Sequence, residues 1–360
     1  MAIAISSSQR FRTKGLKSLN DVSVFAPGKL FLAGEYAVLK RKQPALIIPL
    51  KIGITVTIKK SHHTHITSDV LAYKALDLNQ LPRDGYIKKS LDTAMHYLAD
   101  WDIPFSPMAI EITSDLHDEK RQSLGLGSSG ALTIAIIAAV LRFHQKKICA
   151  LKLYKLAVIA QIQHQAYASF GDLACIAFNR PVHYEKFYHP RSLENETIRA
   201  LVAKSWDGLI IHPIGFKRLP GLIIHTNQKA DSHAMVQQMQ QIEHNPRYEM
   251  FLLDSKVKTL NFIYHLKKGT LDKAKIAVDK LNRWFETFDA HENITLYTKK
   301  MRDIHKVVQS VGGAFKFCGA GGGDNVLALF DGEDQKERAA QILKARGFNI
   351  IACLKGWEDV

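Results

Sequence analysis

Cysteine is scarce in this chain of 360 residues: there are four, at Cys149, Cys175, Cys318 and Cys353. No two form a CxxC pair and none has zinc-ligand spacing, which excludes a disulfide framework and a cysteine-based zinc site. Free thiols buried in apolar settings of a reducing compartment are the expectation. Long hydrophobic runs are missing too. The longest, ALTIAIIAAVL at 131–141, is too short to span a bilayer and ends at Arg142, so a buried helix is expected and no membrane partner. A secretory signal is lacking, because residues 1–20 contain no apolar core. That stretch carries Ser, Lys and Arg with no acid before Asp21. It is set aside as a flexible leader on a cytoplasmic protein. Acid is outnumbered overall: 49 Lys and Arg against 34 Asp and Glu leave a formal charge of +15. Such an excess invites nucleic acid, yet the basic residues are spread along the chain and no aromatic-rich RNP-like strand accompanies them. No nucleic-acid partner is expected. A basic surface equally suits an enzyme whose substrates are polyanions.

What is present reads as a soluble α+β protein. Apolar residues make up 46% and charged residues 23%, and the length favours two domains. Strand-like segments occur at 22–26, 29–33 and 45–59, the last rich in β-branched residues. Ile87, Leu91, Met95 and Leu98 share one face of a helical pattern over 86–101, followed by a strand at 108–113 and a polar loop at 114–124. A long helix follows residues 125–130, and a second spans about 151–168. An irregular, polar boundary occupies 188–207. GLIIH occurs at 208–212 and again at 221–225, which reads as a strand pair across a Pro/Gly-bearing turn. Helices are expected over 231–243, 247–268 and 270–310, the last broken near 290–292. Strand, glycine loop, strand, helix and strand then fill 313–355. The lack of regular βαβ alternation excludes a doubly wound sheet.

Three segments carry the chemistry. The hexapeptide GLGSSG at 125–130 fits the dinucleotide pattern through Gly125, Gly127 and Gly130. A Rossmann site, however, needs a strand running into it and an acid about 20 residues on. Here a polar loop intervenes, and residues 131–171 contain no Asp or Glu. A P-loop fails as well, since no Lys-Ser/Thr pair follows the glycines. What remains is a backbone free to approach a ligand, with Ser128 and Ser129 where a helix starts. Its amides and dipole favour an anion such as a triphosphate, although a plain Ser N-cap has the same look. The second segment, GAGGGD at 319–324, lies between two apolar strands, where four glycines pack nothing unless a ligand presses against the backbone. The third, APGKLFLAGEY at 26–36, sets Lys29 in an apolar strand. Its ammonium either snorkels to the surface or faces a phosphate from within. His62, His63 and His65 cluster without Cys or carboxylate at ligand spacing, and read as a solvated surface run.

Taken in chain order, 26–36, 125–130 and 319–324, the segments resemble the first, second and third motifs of the GHMP kinases, the superfamily of galactokinase, homoserine kinase, mevalonate kinase and phosphomevalonate kinase. ASFGDLACIAF at 168–178 and DSHAMVQQM at 231–239 are similar to stretches of the bacterial phosphomevalonate kinases. Mevalonate kinases instead carry an acidic ligand about eleven residues before the Asp, where this chain has Gln161. The resemblance implies an α+β, two-domain GHMP kinase fold, with a ribosomal-protein-like N-terminal domain over 21–195 and a ferredoxin-like C-terminal domain over 196–360. It implies ATP and Mg²⁺ as cofactors and 5-phosphomevalonate as the small-molecule substrate. Gly125, Leu126, Gly127, Ser128, Ser129 and Gly130 fall to the ATP phosphates, with the Ser129 hydroxyl touching the metal. Lys29 and Asp172 fall to catalysis. Ser169, Ser232, His233, Gly321, Gly322, Gly323 and Asp324 fall to the substrate. Two departures stand out: Tyr36 replaces the His common at the end of the first motif, and Asn325 follows Asp324 where related enzymes often have Cys. Mevalonate kinase and diphosphomevalonate decarboxylase of the same superfamily are alternatives, and a basic RNA-binding protein is an alternative of another class.

Overall fold

A long antiparallel ribbon forms the spine of the molecule. Strand β1 (Val22–Ala33) pairs along its length with β2 (Pro44–Lys60) in a computed structural model that describes residues 21–69, 73–118, 121–162, 168–188, 196–354 and 356–357. The leader expected at 1–20 lies outside the described residues. The two strands expected at 22–26 and 29–33 are one strand, with a register shift between Pro27 and Lys29. Gly28 sits at that irregularity because a Cβ there would come 2.8 Å from Leu116 and 3.2 Å from the Leu126 carbonyl. The shift turns the Lys29 amide onto that carbonyl, at 2.8 Å.

Strands β3 (His65–Ser68) and β4 (Tyr73–Asp77), helix α1 (Tyr86–Ala99) and strand β5 (Met108–Ser114) follow. The C-terminal part of β2 pairs with β5, and its N-terminal part pairs on the same side with β6 (Val182–Glu185). Between those partners come α2 (Ser128–Phe143), α3 (Ala150–Ile162) and α4 (Gly171–Phe178). The 131–141 run is the buried heart of α2, apart from a half-buried Leu132. Such a helix, apolar on every side, belongs between layers rather than on a surface.

The expected polar boundary contains a short helix, α5 (Ile198–Ala203), capped by the Thr197 hydroxyl, which accepts from the Ala200 amide at 3.2 Å. The two GLIIH segments are both strands but not partners. The first contributes β7 (Ile210–Pro213), which pairs with β6 at the edge of the larger sheet; the second is β8 (Gly221–His225), in a separate sheet. The residues between them cross from one layer to the other, so a hairpin is impossible. The larger sheet thus continues past the division expected at 195/196.

The remaining chain runs α6 (Ser232–Gln241), α7 (Pro246–Lys268), α8 (Leu271–Glu292), α9 (Lys299–Ser310), β9 (Ala314–Cys318), β10 (Asn325–Leu329), α10 (Glu333–Ala345) and β11 (Asn349–Cys353). The smaller sheet is ordered β11–β8–β10–β9 and is antiparallel throughout. Within this half the first strand is flanked by the fourth and third, which is the ferredoxin-like arrangement. No helix among the described residues is long and apolar enough to cross a membrane. The cysteine expectation holds for Cys175 and Cys318 but not for Cys149 and Cys353, which are exposed. Cys149 precedes α3 on the surface, and Cys353 ends the edge strand β11.

One buried ion pair ties the halves together. The Lys316 ammonium on β9 reaches the Glu35 carboxylate just after β1, and both side chains are fully enclosed. Lys316 also donates to the Phe317 carbonyl. Burial pushes the Glu35 carboxyl up, and Lys316 pulls it part of the way back. Removing one partner strands the other charge without water. Lys316→Met is therefore expected to cost about 3–5 kcal/mol in equilibrium denaturation. Adding Glu35→Gln in the same chain is expected to recover part of that loss, and the double-mutant cycle checks it.

Candidate active site

The loop at 125–130 meets the start of α2, and its shape depends on missing Cβ atoms. Gly127 is the N-cap of α2 at φ +81 and brings no capping side chain. The amides of the first turn are left to a ligand or to solvent. The side chain of Lys29 lies against this glycine: a Cβ on Gly127 would fall 2.6 Å from Lys29 Cε and 3.0 Å from its Cγ. The bond from the Lys29 amide to the Leu126 carbonyl pins the loop to β1 from below. Lys29 is half-buried, with Phe31 5.4 Å from its ammonium. Among the described residues its ammonium makes no ion pair. Ser128 and Ser129 occupy the first turn and are both partly exposed.

On the far side of the loop stands α4. Asp172 lies in its first turn, where the N-cap is Phe170 and not Asp172 itself. A Cβ on Gly130 would come 2.8 Å from the Asp172 Oδ2, so this third glycine admits a carboxylate beside the α2 start. Burial pushes the Asp172 carboxyl above its ordinary range; the charge of Lys29, then the amides of Leu173 and Asp172, pull against that rise. Ser169 precedes the helix. Its hydroxyl accepts from the Gly171 amide at 3.3 Å, and its carbonyl accepts from the Tyr184 hydroxyl at 2.6 Å. Gln161 is buried and donates from Nε2 to the Thr133 hydroxyl at 2.9 Å and toward the Ser129 carbonyl at 3.4 Å.

The loop at 319–324 joins the same place from the other half of the chain. A Cβ on Gly125 would lie 2.4 Å from both the Asp324 Cγ and its Oδ2, so the two loops are in direct contact. Asp324 has φ 51 and is held on three sides. Its amide donates to the Gln228 carbonyl at 2.7 Å, its carbonyl accepts from the Thr226 amide at 2.8 Å, and its Oδ1 accepts from the Ala230 amide at 3.0 Å. Burial raises its carboxyl too, against the Ala230 amide and the charges of His225, Lys29 and Lys229. The Gly322 amide donates to the Leu296 carbonyl at 2.8 Å. Gly323 passes so close to residues 228–230 that a Cβ would meet the Gln228 carbonyl at 2.5 Å.

Lys29, residues 125–130, Asp172 and Asp324 are thus gathered in one place, with Ser169 beside Asp172 and Gly321–Gly323 continuing from Asp324. Ser232 and His233 are exposed in the first turn of α6, at the rim. They approach the loop only through neighbours: the Met235 thioether lies against Gly322, and Ala230 holds Asp324. No hydrogen bond joins Ser232 or His233 to the other groups among the described residues. His62 and His63 are exposed in the turn after β2, with the His63 and His65 rings 5.1 Å apart.

Both departures from the family pattern turn out to be ties between the halves. The Tyr36 hydroxyl donates to the Ala320 carbonyl of the glycine loop. Asn325 Nδ2 donates to the Leu124 carbonyl at 2.8 Å, while its Oδ1 faces His225 Nδ1 at 3.2 Å. Lys186 was not singled out by any pattern. It is buried 5.9 Å from the Phe170 ring, and burial with the nearby charges of Lys40 and Arg41 pushes its ammonium down to about 8.

The chain is similar to known proteins over most of its length. Residues 85–180 match the GHMP kinases N terminal domain, and residues 271–349 match GHMP kinases C terminal. A phosphomevalonate kinase of Streptomyces sp. (strain CL190) is 25% identical over 345 residues, covering 87% of this chain and 90% of that protein. A mevalonate kinase of Methanothermobacter thermautotrophicus is 24% identical, covering 85% of this chain and 89% of that protein. The solved phosphomevalonate kinase of Streptococcus pneumoniae, in complex with phosphomevalonate and AMPPNP, superposes with a TM-score of 0.84 at 27% identity. It covers 92% of this chain and 98% of that one.

The raised Asp172 carboxyl makes a prediction about stability. Its ionised form is disfavoured by folding, so at neutral pH it costs stability, and the cost disappears as pH falls through the folded pKa. Asp172→Asn is expected to raise the Tm of the ligand-free protein near neutrality, by a margin that shrinks in the acid range. Thermal unfolding of both proteins across that range checks the sign.

Proposed function

Since the chain belongs to the GHMP kinases and is an ATP-dependent kinase, we propose that its acceptor is 5-phosphomevalonate, which receives the γ-phosphoryl group of ATP to give 5-diphosphomevalonate. In this reading the protein works in the cytoplasm, in the mevalonate route to isoprenoids. The observation that carries the proposal is the convergence of Lys29, the α2 start, Asp172 and Asp324 around three glycines. The phosphomevalonate kinases of Streptomyces and Streptococcus pneumoniae support the choice of acceptor. Gln161 supports it from the other side. A carboxylate there would face the Ser129 carbonyl, so the position suits an amide and not the acidic ligand of mevalonate kinases.

The chemistry asks mainly for positioning and charge stabilisation, with little covalent work. A phosphate monoester has a second pKa of about 6, so the attacking oxygen is already mostly anionic near neutrality. A strong general base is less necessary than for an alcohol, and the obstacle is bringing two polyanions together. Lys29 is placed to neutralise the approaching oxygens, since its stem runs along Gly127 toward the helix start. The amides of Ser128, Ser129 and Gly130 are placed to receive the ATP phosphates. Asp172 orients Lys29 through their mutual attraction and can accept a proton from the minor monoanion. Gly321–Asp324 takes the substrate's phosphate side, and Ser169, Ser232 and His233 hold the remainder. Magnesium, when bound, supplies neutralisation of the phosphate oxygens. The residues present fit an ion that keeps several waters and leans on the phosphates: the Ser129 hydroxyl in the first turn, with the Asp172 carboxylate across Gly130. The ATP-binding half runs from 21 to about the end of β7, and the rest completes the cleft.

A coupled ADP-release assay with 5-phosphomevalonate and with mevalonate tests the acceptor. Turnover is expected with the first; turnover with mevalonate alone would overturn the assignment. Lys29→Ala is expected to lower kcat by about 10²–10³-fold, the cost of removing one preorganised electrostatic group. Asp172→Asn is expected to lower it much less, and equal losses would point to obligatory base catalysis instead.

A further inference from the structure

Helix α7 carries two apolar seams where one would suffice. Tyr248, Phe251, Ser255, Phe262 and Leu266 face inward and are buried. On the opposite side Met250, Leu253, Val257, Leu260 and Tyr264 are between 38% and 65% exposed. Their spacing alternates three and four residues over about four turns, the a/d repeat of a coiled-coil strand. Single exposed apolar residues are ordinary, but a continuous stripe of this length is not.

We propose that this seam is the interface of a two-fold dimer, in which α7 packs antiparallel on α7 of a second copy. Charge placement argues for that occupant and that direction. Glu249 and Lys267 lie on the same flank of the seam, about five full turns apart. Asp254 and Asn261 lie on the other flank. Setting Val257 against Leu260 of the second copy, and Leu253 against Tyr264 of the second copy, brings Glu249 opposite Lys267 and Asp254 opposite Asn261, each twice by symmetry. Lys256 then faces apolar side chains. Arg247, near Lys268 of the second copy, is already engaged by Glu292 at 3.6 Å. A parallel pairing would cross the two flanks and set Glu249 beside Asp254 of the second copy, two like charges. The antiparallel arrangement uses one patch on both copies and closes on itself, so it stops at a dimer.

Sedimentation velocity of the full chain over a wide concentration range tests this. The wild-type protein is expected to sediment at twice the chain mass. Leu253→Lys with Val257→Lys is expected to sediment as a monomer with unchanged turnover, since neither side chain touches the catalytic groups. Glu249→Lys is expected to weaken the dimer at least tenfold, and adding Lys267→Glu to restore it, a rescue that loss of folding could not produce. A monomeric wild type at every concentration would overturn the proposal, as would a dimer indifferent to the seam lysines or a charge swap without rescue.

Discussion

The site depends on the absence of side chains at three positions of one loop. Gly125 leaves room for Asp324, Gly127 for Lys29, and Gly130 for Asp172. Each neighbour comes from a different part of the chain, and each would collide with a single methyl group. Positive φ at Gly125 and Gly127 adds a second reason that no other residue serves there. The rest of the fold delivers these three charged groups to one loop: the β1 irregularity aims Lys29, α4 presents Asp172, and the β9–β10 connection presents Asp324.

That gathering is electrostatically uneven. Two carboxylates are held where burial raises them, with one half-buried ammonium between. Such an arrangement is poor for the free protein and good for a partner that brings both phosphate oxygens and cations. Carboxyls raised by burial beside a specific charge cluster at functional sites, although structural ion pairs shift carboxyls as well. The Glu35–Lys316 pair differs. It is enclosed, already neutralised, and its role is to hold β9, and with it the glycine loop, against the end of β1.

Much of this was legible from the residues. Glycine runs between apolar strands and a lysine in an apolar strand depart from local preference in ways that a ligand site explains. Those departures single out Lys29, the 125–130 loop and the 319–324 loop, which the structure brings together. Partnerships across the chain were not legible. Nothing local in GLIIH tells which sheet each copy joins, because strand pairing is decided by distant backbone. Tyr36 and Asn325 depart from the family pattern with no local sign of a purpose, and only in the folded chain do their polar atoms bridge two halves. The thiols of Cys149 and Cys353 shared apolar neighbours in sequence with the buried pair, yet one precedes a helix at the surface and the other sits on a sheet edge.

The contact between Gly125 and Asp324 has a consequence for how the molecule is made. Synthesis proceeds from the amino terminus, and domains tend to fold as they emerge. β1, β2 and the helix after Gly127 can assemble while the ribosome is still producing the segment that supplies Asp324 and Lys316. Until then Glu35 has no cation and the first glycine loop has no lid. The nascent chain holds Lys29 and Asp172 beside an unfinished neighbourhood, which closes only after the segment bearing Lys316 and Asp324 has left the exit tunnel.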